Sequence, residues 1–214
     1  MKKWFCLFCF LFLAFFPLTS EGAEDNPNEY TLKGKTAILF NFNGLHLSPY
    51  EGGIGIKKGI SKSTALIVSL QFSYYKEEEE VTDELSGWDY KNSSMGILFG
   101  FENHFGQIKS ISPYWGLSLL FGQSKYYSKY TEPLSMGNYY SITDQSALFL
   151  TPMLFLGFEI KIIDNVYLAG QYALGYEYAF GTTKREYPTL SEEQDLKATE
   201  AGVNTSSLIL TIYF

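Results

Sequence analysis

From about Lys35 to the end of the chain, apolar residues alternate with polar or small ones in stretches near ten residues, separated by turn-rich or charged segments. Alternation with period two marks a strand with two different faces, and at that length it is the pattern of strands that cross a membrane in a closed barrel. The last stretch, 207–214, is the plainest. Leu208, Leu210, Ile212 and Phe214 share one face, and Ser207, Ile209, Thr211 and Tyr213 share the other. Seven more segments read the same way: 36–43, 52–57, 64–75, 94–105, 113–123, 146–160 and 166–180. In 166–180, Leu168, Tyr172, Leu174, Tyr176 and Tyr178 oppose Ala169, Gln171, Ala173, Gly175 and Glu177. In 94–105, Met95, Ile97, Phe99 and Phe101 oppose Gly96, Leu98, Gly100, Glu102 and His104. The contrast is poor only in 146–160, where Phe149, Met153 and Phe155 stand on the face opposite Leu148, Leu150, Leu154, Leu156 and Phe158.

Eight such segments predict an all-β, eight-stranded antiparallel up-and-down transmembrane β-barrel over residues 35–214. The connections support that order, because barrels of this class have short turns on one side and longer loops on the other. Those near 58–62, 106–111 and 161–165 are tight, 44–51 is intermediate, and 76–93, 126–145 and 181–205 are long. With both termini on the side of the tight turns, every long connection falls on the opposite side.

The N-terminus adds a compartment. Lys2 and Lys3 precede an apolar run from Trp4 to Phe16, then Pro17, Leu18, Thr19 and Ser20. A run this short falls below the roughly 20 residues of a spanning helix and reads as a secretory signal peptide over 1–22, with 23–34 as a periplasmic segment before the barrel. Cleavage after Gly22 fits small residues at Ser20 and Gly22, with Ser20 and Ala23 as alternative ends. Cys6 and Cys9 both lie in this segment, and neither has the small preceding residue of a lipid-attachment site. Cleavage therefore leaves no cysteine for disulfides, metal thiolates or nucleophiles. Hydrophobic residues make up 46% of the chain, yet mean hydropathy is only −0.06, which rules out a bundle of transmembrane helices. The net charge of −7 moves to −8 on loss of Lys2, Lys3 and Glu21, and excludes nucleic acid phosphates as a general partner.

Signal peptide, eight alternating strands, long loops on one side and terminal Phe214 together resemble the small outer-membrane β-barrels of the OmpA transmembrane domain and OmpX type. The ending Leu208, Leu210, Ile212, Tyr213, Phe214 resembles the C-terminal signal read by the barrel assembly machinery. The resemblance implies an outer membrane of Gram-negative type as the location, with its lipid and lipopolysaccharide as surroundings.

An eight-stranded barrel is just wide enough for side chains to fill, so a packed lumen is expected. The inward set holds Asn41, Lys57, Ser69, Gln71, Glu102, His104, Glu159, Gln171 and Glu177 with several glycines. Lys57, Glu102 and Glu159 fall near the tight-turn ends of their strands, which predicts one lumen charge network with His104 at its mouth. The glycines leave room that a solute or water could use. Outward Tyr74, Trp115, Tyr167, Tyr176, Tyr178 and Tyr213 are candidates for the aromatic girdles at the membrane borders.

Two connections are strongly acidic. Glu77 to Glu80 with Asp83, Glu84 and Asp89 mark 76–93, and Glu186, Glu192, Glu193, Asp195 and Glu200 mark 181–205. No spacing there matches a calcium loop, so they read as solvated, mobile loops open to a surface partner. His46 and Ser48 resemble the His-x-Ser pair of outer-membrane lipid A deacylases, but the nearby Glu51 does not match that family's spacing. Ser94 and Ser118, weighed as partners of His104, lack a supporting context. Omptin-type proteolysis belongs to longer barrels. The expected function is thus non-enzymatic, with neither cofactor nor metal: an envelope or surface barrel serving integrity, adhesion or loop-mediated binding. A transport barrel for small or hydrophobic solutes and a soluble lipocalin-like carrier are the alternatives.

Overall fold

The computed structural model describes residues 31–43, 50–79, 87–106, 110–134, 137–188 and 190–214. Its strands are β1 (Thr36–Asn43), β2 (Tyr50–Gly59), β3 (Thr64–Glu79), β4 (Gly87–His104), β5 (Ile111–Leu134), β6 (Gly137–Ile163), β7 (Val166–Tyr187) and β8 (Leu190–Tyr213). They form a closed antiparallel barrel in sequence order. The ring closes where β1 meets β8, from Ala37 opposite Tyr213 to Asn43 opposite Ser207. Closure removes the free sheet edges at that level.

Alternation then assigns each side chain to one of two surfaces. Ile56, Val68, Phe99 and Leu156 point outward and are about half exposed. Ser69, Ser118, Thr151, Thr211 and Ser207 point inward and are buried. The outside is therefore apolar and the inside largely polar, the reverse of a water-soluble domain.

Three features depart from the sequence reading. First, most of the long connections are strand. β3 and β4 stay paired out to Glu79 opposite Trp88, β5 and β6 to Leu134 opposite Gly137, and β7 and β8 to Tyr187 opposite Leu190. Much of 76–93 and 181–205 is thus ordered β-ribbon and not mobile loop. Tyrosines favour strand, and opposite charges face each other in the ladder, with Lys184 across from Glu193 and Arg185 across from Glu192. Second, Tyr167 and Tyr213 are not girdle residues. Both take the inward parity of their strands, are buried, and meet edge to face at 5.1 Å. Tyr74, Tyr176 and Tyr178 do stand exposed on the outer face.

Third, part of the room at the inward glycines is filled by rings. Phe155 lies directly opposite Gly116, and Tyr114 directly opposite Gly157, so two neighbouring β5–β6 pairs each lay a ring over a bare backbone. A methyl group at Gly116 would overlap the Phe155 ring. Tyr114, Phe155, Ala169 and Ala173 make one buried cluster, with Ile67 and Ile209 packed against it.

The tight-turn end is capped as well. Leu32 is fully buried against Ala37, Ala65, Tyr167 and Tyr213, and its N–H donates to the Lys62 carbonyl at 3.0 Å. The β6–β7 turn is held by Lys161 and Asp164 at 2.7 Å, and the hydrogen bond from the ammonium keeps the Asp164 carboxyl below its usual range. Asn165 adopts φ 64° there, a conformation that asparagine tolerates better than most residues.

Gly116→Ala should lower the stability of the detergent-folded barrel by about 1–3 kcal/mol, read from urea titration of the folded fraction. The same change in a Phe155→Ala background should cost less, by up to about 1 kcal/mol, because the ring is gone and the Phe101 carbonyl oxygen alone still opposes the new methyl.

Candidate functional site

The lumen is divided. Its tight-turn half is filled by a charge cluster drawn from three strands. Lys57 on β2 forms an ion pair with Glu102 on β4 and a second with Glu159 on β6, Nζ to Oε1 3.1 Å. His104 Nε2 lies 2.9 Å from Glu102 Oε1, and His104 Nδ1 lies 2.6 Å from Ser112 Oγ. The Tyr213 hydroxyl donates to both Glu159 oxygens, at 3.3 and 3.4 Å. Lys57 Nζ also stands 5.5 Å from the Tyr213 ring centre and 6.0 Å from that of Tyr114. Glu159 is 0% and Lys57 2% exposed. Buried charges of this kind persist only when paired and hydrogen-bonded, and each carboxylate here has at least two donors or cations.

The backbone makes room for this cluster. Ala37 faces Lys57 across β1–β2, Ala65 faces Glu102 across β3–β4, and Ala169 faces Glu159 across β6–β7. Each long charged side chain is thus flanked by a short one, which lets it reach across the lumen. These alanines, with Ser112, Tyr114 and Tyr213, are the members that sequence reasoning did not include. Parity is the signal that could have found Ser112, since it lies across the β4–β5 connection from His104 on the same inward face.

Ser112, His104 and Glu102 are joined in the order of a hydrolytic triad, and Ser112 and Glu102 each have a further partner. Ser112 is 2% exposed, and its hydroxyl donates to the Gly106 carbonyl at 3.0 Å. Glu102 is bound to Lys57, and Ser112 is not on the wall of either lumen cavity described below. A nucleophile requires a place for the reacting carbonyl beside it. His46 and Ser48 lie outside the described residues. Among those described, no group of three or more potential metal ligands is found.

The other half of the lumen is hollow, which corrects the expectation of a fully packed interior. A cavity of about 280 Å³ opens between Asn41, Glu51, Gln71, Leu98, Ser118, Thr151, Gln171 and Glu177, with Ser73, Ser94 and Ser207 also on its wall. A smaller space of about 40 Å³ adjoins the same wall at Ser69 and Gly55. Serine, threonine and glycine at inward positions are too short to meet across the ring. Gln171 approaches the Tyr114 hydroxyl at 3.4 Å, and the Thr151 hydroxyl reaches Glu177 at 3.4 Å. Of the terminal residues, Leu208, Leu210 and Ile212 are half-buried on the outer row and Phe214 is 70% exposed, whereas Tyr213 turns inward.

No family model matches the chain, and no curated protein matches it. Among solved structures, it is similar to a major outer membrane protein from Thermus thermophilus, at 12% identity and TM-score 0.40, over 84% of this chain and 98% of that one. It is also similar to Acinetobacter baumannii CarO, at 11% identity and TM-score 0.43, over 85% of this chain and 97% of that one. Likeness at this level bears no weight for function, so the barrel rests on the chain's own strand pairing.

Lys57→Met strands two buried carboxylates and should cost about 3–5 kcal/mol in urea titration. The triple variant Lys57→Met, Glu102→Gln, Glu159→Gln should recover a large part of that loss, because it removes the uncompensated charges.

Proposed function

We propose that this chain is an integral outer-membrane β-barrel, exported by a cleaved signal peptide, and that it acts as a non-enzymatic envelope or surface protein of the small OmpA or OmpX type. One observation carries the reading: a closed barrel presents an apolar outer surface and a polar inner one. From Leu66 to Tyr74 the outward row spans roughly 20 Å at about 3.3 Å per residue and a tilt of about 40°. That approaches the apolar band of about 25 Å expected of such barrels. Leu66, Val68, Leu70, Phe72 and Tyr74 are each exposed along it, a row that water would penalise and lipid would not. A soluble lipocalin-like carrier does not account for that row.

On this reading the charge cluster lies toward the periplasm and closes the lumen, and the β-ribbons beyond the lipid face the exterior. They offer integrity, adhesion or partner binding, including at the acidic parts of 76–93 and 181–205. Lipopolysaccharide would surround the barrel, and the barrel assembly machinery would read Leu208, Leu210, Ile212, Tyr213 and Phe214. The cavity favours a second reading, passage of small or hydrophobic solutes.

The mature protein should show a heat-sensitive folded band on SDS gels and partition with outer membranes. Recovery as a folded species in plain buffer would overturn the membrane assignment. In planar bilayers the folded protein should give no steady conductance, while Lys57→Ala combined with Glu159→Ala and Tyr114→Ala should give one. Steady current through the unaltered protein would favour passage.

A further inference from the structure

We propose that the hollow half of the lumen is a binding site for a small organic cation, an ammonium or guanidinium compound. The chemistry of the wall is one-sided. It carries two carboxylates, Glu51 and Glu177, and neither lysine nor arginine. Its nearest cation below, Lys57, is already committed to Glu102 and Glu159. Farther out on the inner row, Arg185 stands across from Glu192. Among the described residues the cavity wall therefore carries negative charge and no cation, inside low-dielectric walls that strengthen the field.

A second observation points the same way. Asn41 Oδ1 and Gln71 Oε1 are buried side-chain oxygens without a hydrogen-bond partner. Both residues face Gly53, from β1 on one side and β3 on the other, and both belong to the cavity wall. Buried acceptors left unmatched are costly, and a ligand rich in N–H donors would satisfy them. Thr151 and Glu177 supply the facing wall from β6 and β7, so donors on one compact ligand could engage both sides. Farther out on the same inward faces, Tyr90 meets Tyr75 at 5.3 Å and Tyr126 at 5.2 Å, edge to face. Their ring faces suit a cation on its way in. A volume of about 280 Å³ admits one small molecule. The site depends on the barrel and not on the membrane around it.

The test uses the mature chain folded in zwitterionic lipid nanodiscs, titrated at constant ionic strength with three probes of one shape: n-butylammonium, n-butanol and butyrate. Calorimetry or ligand-observed NMR should show saturable binding of butylammonium at least tenfold tighter than of either other probe. Glu177→Gln and Glu51→Gln should each weaken it about tenfold, while Glu78→Gln on the outer surface should leave it unchanged. Equal binding of the three probes would overturn the proposal, as would an effect of Glu78→Gln as large as that of Glu177→Gln. So would unchanged binding in Glu177→Gln or Glu51→Gln variants that keep the heat-sensitive folded band.

Discussion

The pairing of β1 with β8 is the constraint on which the rest of the molecule depends. β1 is the shortest strand, yet it carries ladders on both sides, to β2 and to β8. The join is finished by the Phe214 N–H donating to the Thr36 carbonyl at 2.9 Å, while on the other side of β8 the Tyr213 N–H donates to the Asn165 carbonyl of the β6–β7 turn at 2.8 Å. Without that seam the chain would be a twisted sheet with an apolar face and two open edges. With it, inside and outside become fixed, and the parity of each residue decides which solvent it meets.

The two halves of the lumen are two answers to the same width. Near the tight turns, long ionic side chains cross the space, and alanines on the neighbouring strands give them clearance. On the other side, short hydroxyl side chains line the wall and leave a hollow. The boundary between them is aromatic, since Tyr114 and Phe155 pack at 6.2 Å immediately beside the charge cluster. Tyr114 belongs to both regions, with its ring against His104 at 5.2 Å and its hydroxyl toward Gln171.

Period-two alternation made the strand order and the inner and outer faces legible, because lipid and lumen impose opposite preferences on successive residues. The grouping of Lys57, Glu102 and Glu159 followed from parity and from distance to the tight turns. At Tyr213 residue type and parity disagree: tyrosine suits a membrane border, but its row shares a face with Ser207 and Thr211, and parity prevails. The outer thirds of β5 and β6 escaped notice for a different reason. Around Tyr126 to Lys129 and Ile142 to Gln145, polar residues occupy both faces, so alternation fades although the backbone ladder continues. The inward glycines signal room in the lumen, but where the hollow lies depends on reach across the ring, which spacing along one strand does not encode. Ser112 joined His104 through a turn, and hydrophobic pattern says nothing of that.

The unequal strand lengths also bear on how copies of this protein coexist. β1 stops pairing with β8 at Asn43 opposite Ser207, and β2 stops pairing with β3 at Tyr50 opposite Tyr74, whereas β3 runs on to Glu79 and β8 begins at Leu190. Among the described residues, those outer stretches of β3 and β8 have a neighbouring strand on one side only. Their other side has no ladder partner among the described residues, and an unpaired row of backbone donors and acceptors is able to recruit a strand from an adjacent molecule. Those same stretches carry Lys76, Glu77, Glu78 and Glu79, and Glu192, Glu193, Asp195 and Lys197. The acidic runs thus act as a deterrent to lateral stacking, keeping crowded barrels from fusing edge to edge into one continuous sheet.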